Sequence, residues 1–188
     1  MKNVKILLLF LVLLVVSCQN DDIKGEVETR EFVPTDVLVG IRSGAGINQI
    51  FNFINEFEHT VENLNSITFT SDLPATNLQY VLDYLNDKPY TNDGEDWFVT
   101  GYLHYQTNQI SVFPRLFEIN NTQYQEDWLS TMILLKLKKK YDAGLSGGII
   151  HFNVPEGEEL EWKKTFESYD IVDWAELNYI GGAQPATN

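Results

Sequence analysis

The sequence predicts an α+β fold, with helices packed on a mixed or antiparallel sheet and a β-hairpin plus a helix inserted between two βαβ units. Three observations carry that expectation. Apolar residues switch repeatedly between a period of two, which suits a strand, and a period near 3.6, which suits a helix. Both ends of the folded region read strand, helix, strand. The stretch between them reads helix, hairpin, helix, so strands and helices do not alternate strictly as they would in a parallel sheet.

The elements follow in order. Val37, Val39 and Ile41 alternate with Leu38, Gly40 and Arg42, a strand that ends in the turn Ser43-Gly44-Ala45-Gly46. Ile47, Ile50, Phe51, Ile54 and Phe57 then fall on one face of a helix. Ile67 and Phe69 sit in the β-rich run SITFT. After Pro74, a residue suited to a first helical turn, Leu78, Val81, Leu82 and Leu85 form a second stripe. Asn92-Asp93-Gly94 breaks the chain. Residues 97–119 read as a hairpin turning at Thr107-Asn108, and Pro114 in its second arm demands an edge or a bulge.

Thr122 and Gln125 have the spacing of a capping box, opening a helix whose buried stripe would be Tyr124, Trp128, Met132 and Leu135. The lysines among residues 136–140 suit that helix's negative C-terminal end. SGGIIHFNV, residues 146–154, is the next strand. Residues 158–169 are a helix with Trp162, Phe166 and Tyr169 on one face, and IVDWAELNYI closes the domain as a strand.

The only cysteine, Cys18, lies just after an apolar run of eleven residues, Ile6 to Val16, with Lys2 and Lys5 ahead of it. A membrane-spanning helix needs about 20 apolar residues, so the run has the length of a secretory signal instead. Val15-Val16-Ser17-Cys18 resembles the lipobox of bacterial lipoproteins, and the resemblance implies that the Cys18 thiol is acylated and becomes the mature N-terminus. A thioether needs sulfur, which accounts for a cysteine here. Gln19 is not the aspartate that retains many such lipoproteins in the inner membrane. The acidic residues Asp21 and Asp22 resemble the surface-export signal of some Gram-negative lineages. The expected organisation is a signal peptide over 1–17, a lipid anchor and flexible tether over 18–35, one domain over 36–180, and a disordered tail over 181–188. The expected location is the outer membrane, on its periplasmic face or at the cell surface.

Without Lys2 and Lys5 the 13 basic residues fall to 11 against 27 acidic ones, a net charge near −16. Phosphates are repelled by such a balance, and no basic stripe exists to draw them, so no nucleic-acid partner is expected. With one cysteine no internal disulfide can form, and packing must stabilise the domain.

Val154-Pro155-Glu156-Gly157, then a helix, then Val172, Ala175-Glu176 and Asn178-Tyr179, resemble the second half of a subtilase propeptide, the ferredoxin-like inhibitor module. Residues 36–57 resemble its first strand and helix. The two covered stretches are 36–70 and 147–180, and 76 residues stand between them where a propeptide has a short connection. The resemblance implies ferredoxin-like βαβ units. It also implies an inhibitor whose sheet face packs on a protease while Gly181 to Asn188 lies extended in the substrate cleft.

Catalytic patterns are sparse. His59, His104 and His151 are too far apart for a metal motif such as HExxH, and His104 and His151 fall on strands. No metal or cofactor is expected. Asp93, Glu95 and Asp96 surround Gly94 without the EF-hand spacing and read as a solvated turn. Glu156, Glu158, Glu159 and Glu161 are explained by a helix start. The more promising surface is the hairpin, where Trp97, Tyr102, His104, Tyr105 and Phe113 put rings on a sheet. An exposed face of that kind could grip a protein hot spot or stack on sugar. The expectation is a non-enzymatic binding lipoprotein whose partner is an envelope or extracellular protein. Subtilase inhibition and glycan binding are the alternatives.

Overall fold

The computed structural model describes residues 31–141 and 147–180. Cys18, the signal segment and the C-terminal tail lie outside the described residues. Among the described residues nine strands and four α-helices follow one another as β1 (Phe32–Ile41), α1 (Ile47–Ile54), β2 (Thr60–Asn65), β3 (Phe69–Ser71), α2 (Leu78–Asn86), β4 (Thr100–Leu103), β5 (Ile110–Phe113), β6 (Leu116–Phe117), α3 (Thr122–Leu134), β7 (Leu137–Lys139), β8 (Ile149–Asn153), α4 (Glu159–Glu167) and β9 (Val172–Tyr179). The fold is α+β, as expected.

All pairings are antiparallel, in a five-stranded sheet of order β6-β2-β8-β1-β9 and a four-stranded sheet of order β4-β5-β3-β7. In the first sheet β1 lies between β8 and β9, and β8 lies between β1 and β2. Two split βαβ units, β1-α1-β2 and β8-α4-β9, thus interlock in the ferredoxin-like order. The insertion leaves after Asn65 and returns at Ile149, which are cross-strand partners. Its two ends are therefore adjacent, and a long excursion costs little extra closure entropy.

The two sheets are separately hydrogen-bonded but follow one another along the chain. β2 leads into β3 and β5 into β6, so the same two stretches of chain pair antiparallel first in one sheet and then, past a bend, in the other. Along the second stretch Ile110, Val112, Pro114 and Leu116 are buried, while Phe113, Arg115 and Phe117 on the opposite side are only half-buried. Pro114, donating no hydrogen bond, marks the passage between sheets. Ser66, at φ +56, makes the bend on the first strand.

The helices pack on the buried side. Val61, Phe152, Val37 and Leu177 form one cross-strand row, Leu64, Ile150, Val39 and Ala175 the next, and all eight are buried. Above them lies an aromatic cluster in which Phe152 stacks on Phe166 at 4.6 Å and meets the edges of Phe53 and Phe57. Trp128 of α3 fills the second half of the core, edge-on to Phe69 at 5.2 Å and next to Tyr90. α1 is shared by both halves, and Ile47, Ile50, Phe51, Phe53 and Ile54 are all buried, more than one face of the helix. Asn55 and Gln125 exchange two hydrogen bonds of 2.9 and 2.8 Å, tying the end of α1 to α3.

Four expectations are corrected. β1 starts at Phe32, not Asp36, and Phe32 pairs with Tyr179, so residues 32–35 belong to the sheet and not to a tether. The N-cap of α3 is Asn121, whose side chain accepts from Gln123 N–H; Thr122 is the first helical residue. Of the expected α3 stripe, Trp128 and Leu135 are fully buried and Tyr124 and Met132 only partly, and the polar Gln125 and Thr131 are buried beside them, Gln125 bonding Asn55 and the Ile119 carbonyl. The lysine cluster is not a helix end. Lys136 turns the chain at φ +51, and Leu137 to Lys139 form β7. Lys139 is buried there, donating to the Ala45 carbonyl at 2.7 Å, and burial pushes its pKa down.

Glu159 is a second buried charge, 4% exposed, at the start of α4. Its Oε1 accepts from Thr35 N–H at 2.9 Å, across from the irregular start of β1 where Thr35 has φ +70. That bond holds the carboxyl below the usual carboxylate range. A depressed carboxylate stabilises the fold above its unfolded pKa of about 4.3 and loses that contribution as pH falls through the folded value. Glu159→Gln should cost about 1–3 kcal/mol at pH 7. Urea midpoints measured from pH 7 down to pH 3 should show the gap to wild type closing in acid, and a gap independent of pH would contradict the assignment.

Candidate functional site

Among the described residues no helix packs on the second side of the five-stranded sheet, and polar side chains gather there. The cause is register. Leu38 pairs with His151 on one side and Glu176 on the other, and His151 pairs in turn with Asn63. Asp36, two residues before Leu38, shares that face and reaches His151 on the diagonal. Between Val61 and Asn63 the β2–β8 register slips by one residue, leaving Glu62 as the unpaired residue of a bulge. The bulge leaves Glu62 next to Asn63, the partner of His151, and its carboxylate lies near the imidazole.

One carboxylate oxygen each from Asp36 and Glu62 and one ring nitrogen of His151 all lie within 4.8 Å of one another. Asp36 is 5% exposed, His151 half-buried and Glu62 exposed. Asp36 Oδ2 accepts from Asn178 Nδ2 at 2.6 Å, while Oδ1 is buried without a partner among the described residues. His151 Nε2 touches only Asn65 Nδ2, at 3.3 Å, a long contact. Burial pushes the His151 pKa down, Asp36 and Glu62 oppose that, and Arg115 reinforces it. Glu62 also lines a cleft of about 820 Å³ between Phe117, Asn92, Asp93, Asn121 and Asn153.

The ring-bearing residues of the hairpin meet this face at its bend. Tyr102 is 48% exposed and stacks on Phe113 at 5.7 Å, both on the side of the ladder away from the helices. Trp97 lies 4.1 Å under the Arg115 guanidinium, which also approaches Phe117. His104 and Tyr105 stack on each other at the hairpin tip, where Tyr105 is 84% exposed. Tyr102, Phe113, Arg115 and Trp97 thus form one ribbon, and the tip pair stands at its end. His59 is elsewhere, edge-on to Trp162 at 4.2 Å on the helix side.

The turn at Asp93 is built as read from sequence. Its Oδ1 accepts from the N–H groups of Trp97, Glu95 and Asp96, bonds that hold its pKa down. Gly144-Leu145-Ser146-Gly147-Gly148 has the letters of a nucleophile elbow, but that motif needs a strand-to-helix turn and this segment leads into β8. Ser146 lies outside the described residues.

The chain matches no family model, no curated protein and no solved structure. Among the described residues no helix is long and apolar enough to cross a membrane.

Proposed function

We propose that this chain is an outer-membrane or cell-surface lipoprotein, anchored through Cys18, that binds an envelope or extracellular protein without catalysing a reaction. The observation that carries the binding part is the helix-free sheet face with its exposed rings. Among the described residues all four helices pack on the other side, and on this one Tyr102 and Glu176 are exposed while Leu38 and Phe113 are half-buried. Tyr and Phe beside an Arg–Trp stack are the residue types that dominate protein hot spots. The anchor rests on the lipobox resemblance at Cys18.

Subtilase inhibition is the second reading, favoured by the split βαβ order and its open sheet face. On that reading the same face would pack on the protease.

The first reading has a two-part test. Cys18→Ser should move the protein from the membrane pellet to the soluble fraction, because no acyl chain can be attached. In the anchored background, Tyr102→Ala with Phe113→Ala should lose a stoichiometric partner that wild type retains in envelope pull-downs. A serine variant that stays in the pellet, or a face variant that keeps its partner, would refute the corresponding part.

A further inference from the structure

We infer that Asp36, Glu62 and His151 form a binding site for one divalent transition-metal ion of the zinc type. Three features of the face lead there. The donor set is one imidazole and two carboxylates, which suits Zn²⁺ and its neighbours better than Mg²⁺ or Ca²⁺, whose sites are made of oxygen alone. The donor atoms already lie within 4.8 Å of one another. Around a tetrahedral ion with bonds of about 2.0–2.1 Å they would stand about 3.3 Å apart, so side-chain rotations of roughly an ångström close the site.

The second feature is an unmet requirement. Asp36 is 95% buried, yet its Oδ1 has no hydrogen-bond partner and the carboxylate has no ion pair among the described residues. A buried carboxylate oxygen left bare is costly, and native structures satisfy such groups with a donor, a water or an ion. Arg115, a nearby cation, does not serve: its guanidinium is stacked on Trp97 and bonds neither carboxylate.

The third feature is the bulge. Glu62 is the extra residue between Val61, opposite Phe152, and Asn63, opposite His151, so a second carboxylate lies next to the imidazole's cross-strand partner. Asn178, bonded to Asp36 Oδ2, sets the orientation of that carboxylate, as outer-shell groups do around metals. Glu62 is exposed and faces the cleft, so a fourth coordination position is open on that side to water or to a donor from another molecule.

The test is calorimetric titration of the chelator-treated protein with Zn²⁺, Ca²⁺ and Mg²⁺ separately. One Zn²⁺ per chain is expected, bound at least tenfold more tightly than Ca²⁺ or Mg²⁺. Loss of an outer-shell partner alone weakens metal binding about 10–100-fold, so His151→Ala and Glu62→Gln should each cost at least tenfold. Glu62 is exposed, and the metal-free Glu62→Gln variant should keep the wild-type thermal midpoint, which separates ligation from folding if His151→Ala is unstable. His59→Ala should bind zinc like wild type. No stoichiometric zinc, Ca²⁺ bound as tightly as zinc, or zinc affinity unchanged in Glu62→Gln would overturn the assignment; the last would mean adventitious binding by the acidic surface.

Discussion

Phe152→Ala should remove about 3–5 kcal/mol of stability, the largest loss expected from a single core truncation here. Phe152 is fully buried in the middle of the central sheet, with Val37 and Val61 as its cross-strand neighbours. Its ring stacks on Phe166 of α4 and takes the edges of Phe53 and Phe57, so one side chain joins the sheet to both covering helices. Aromatic pairs of this kind contribute beyond their buried area. A small domain has only about 5–15 kcal/mol in total, so the variant should unfold at a much lower guanidinium concentration with an unchanged slope. A loss under 1 kcal/mol would mean that the cluster collapses around the gap, and the packing described here would be wrong.

Gly147→Ala should be nearly as damaging, by a different route. A β-carbon at Gly147 would be driven into the carbonyl oxygens of Ile41 and Arg42, at the point where Gly147 N–H donates to Ile41 O. Backbone cannot rotate aside as a side chain can, so β8 must separate from the end of β1 at that corner. Overpacking typically costs about 1–3 kcal/mol, and this site should sit at the upper end. Gly44→Ala is the control, since nothing lies within 4 Å of its would-be β-carbon. Its effect should stay within about 0.5 kcal/mol. Equal thermal midpoints for the two variants would contradict the close approach.

Periodicity was enough to read the outer frame. Val37, Val39 and Ile41 alternate with less buried or small neighbours, and in the closing strand Ala175 and Leu177 do the same after an irregularity at Val172, because one side of each faces the core. Short strands were harder. β7 carries one apolar residue, Leu137, between lysines, and the second of its two inward residues is Lys139, so no apolar alternation distinguishes it from a charged helix end. The carbonyls of Ser43 and Ala45 that make a buried lysine tolerable come from the β1–α1 turn. β6 reads as the far arm of the hairpin, because only the partner strand shows that residues 116–117 have crossed to the other sheet.

The candidate site was less legible than the fold. The five hairpin residues were read from ring content alone, and three of them, Trp97, Tyr102 and Phe113, do join one ribbon through Arg115. Asp36, Glu62 and His151 left no motif. They come from three strands, and their meeting depends on register: Leu38, two residues after Asp36, and Asn63, next to Glu62, both lie opposite His151. Spacing along a single chain cannot encode a bulge whose existence requires a partner strand. The one local clue was an aspartate in the run TDVLV at the head of an apolar strand, where a charge is out of place unless something meets it.

The helix-free sheet face as the working surface of the molecule is tested most directly by site-specific photo-crosslinking in intact cells. A photoreactive residue at Glu176 or Tyr102, both on that face, should yield a discrete crosslinked species, while the same residue at Lys164 on the outer side of α4 should yield none. Adducts from Lys164 alone, or from none of the three positions, would contradict the account.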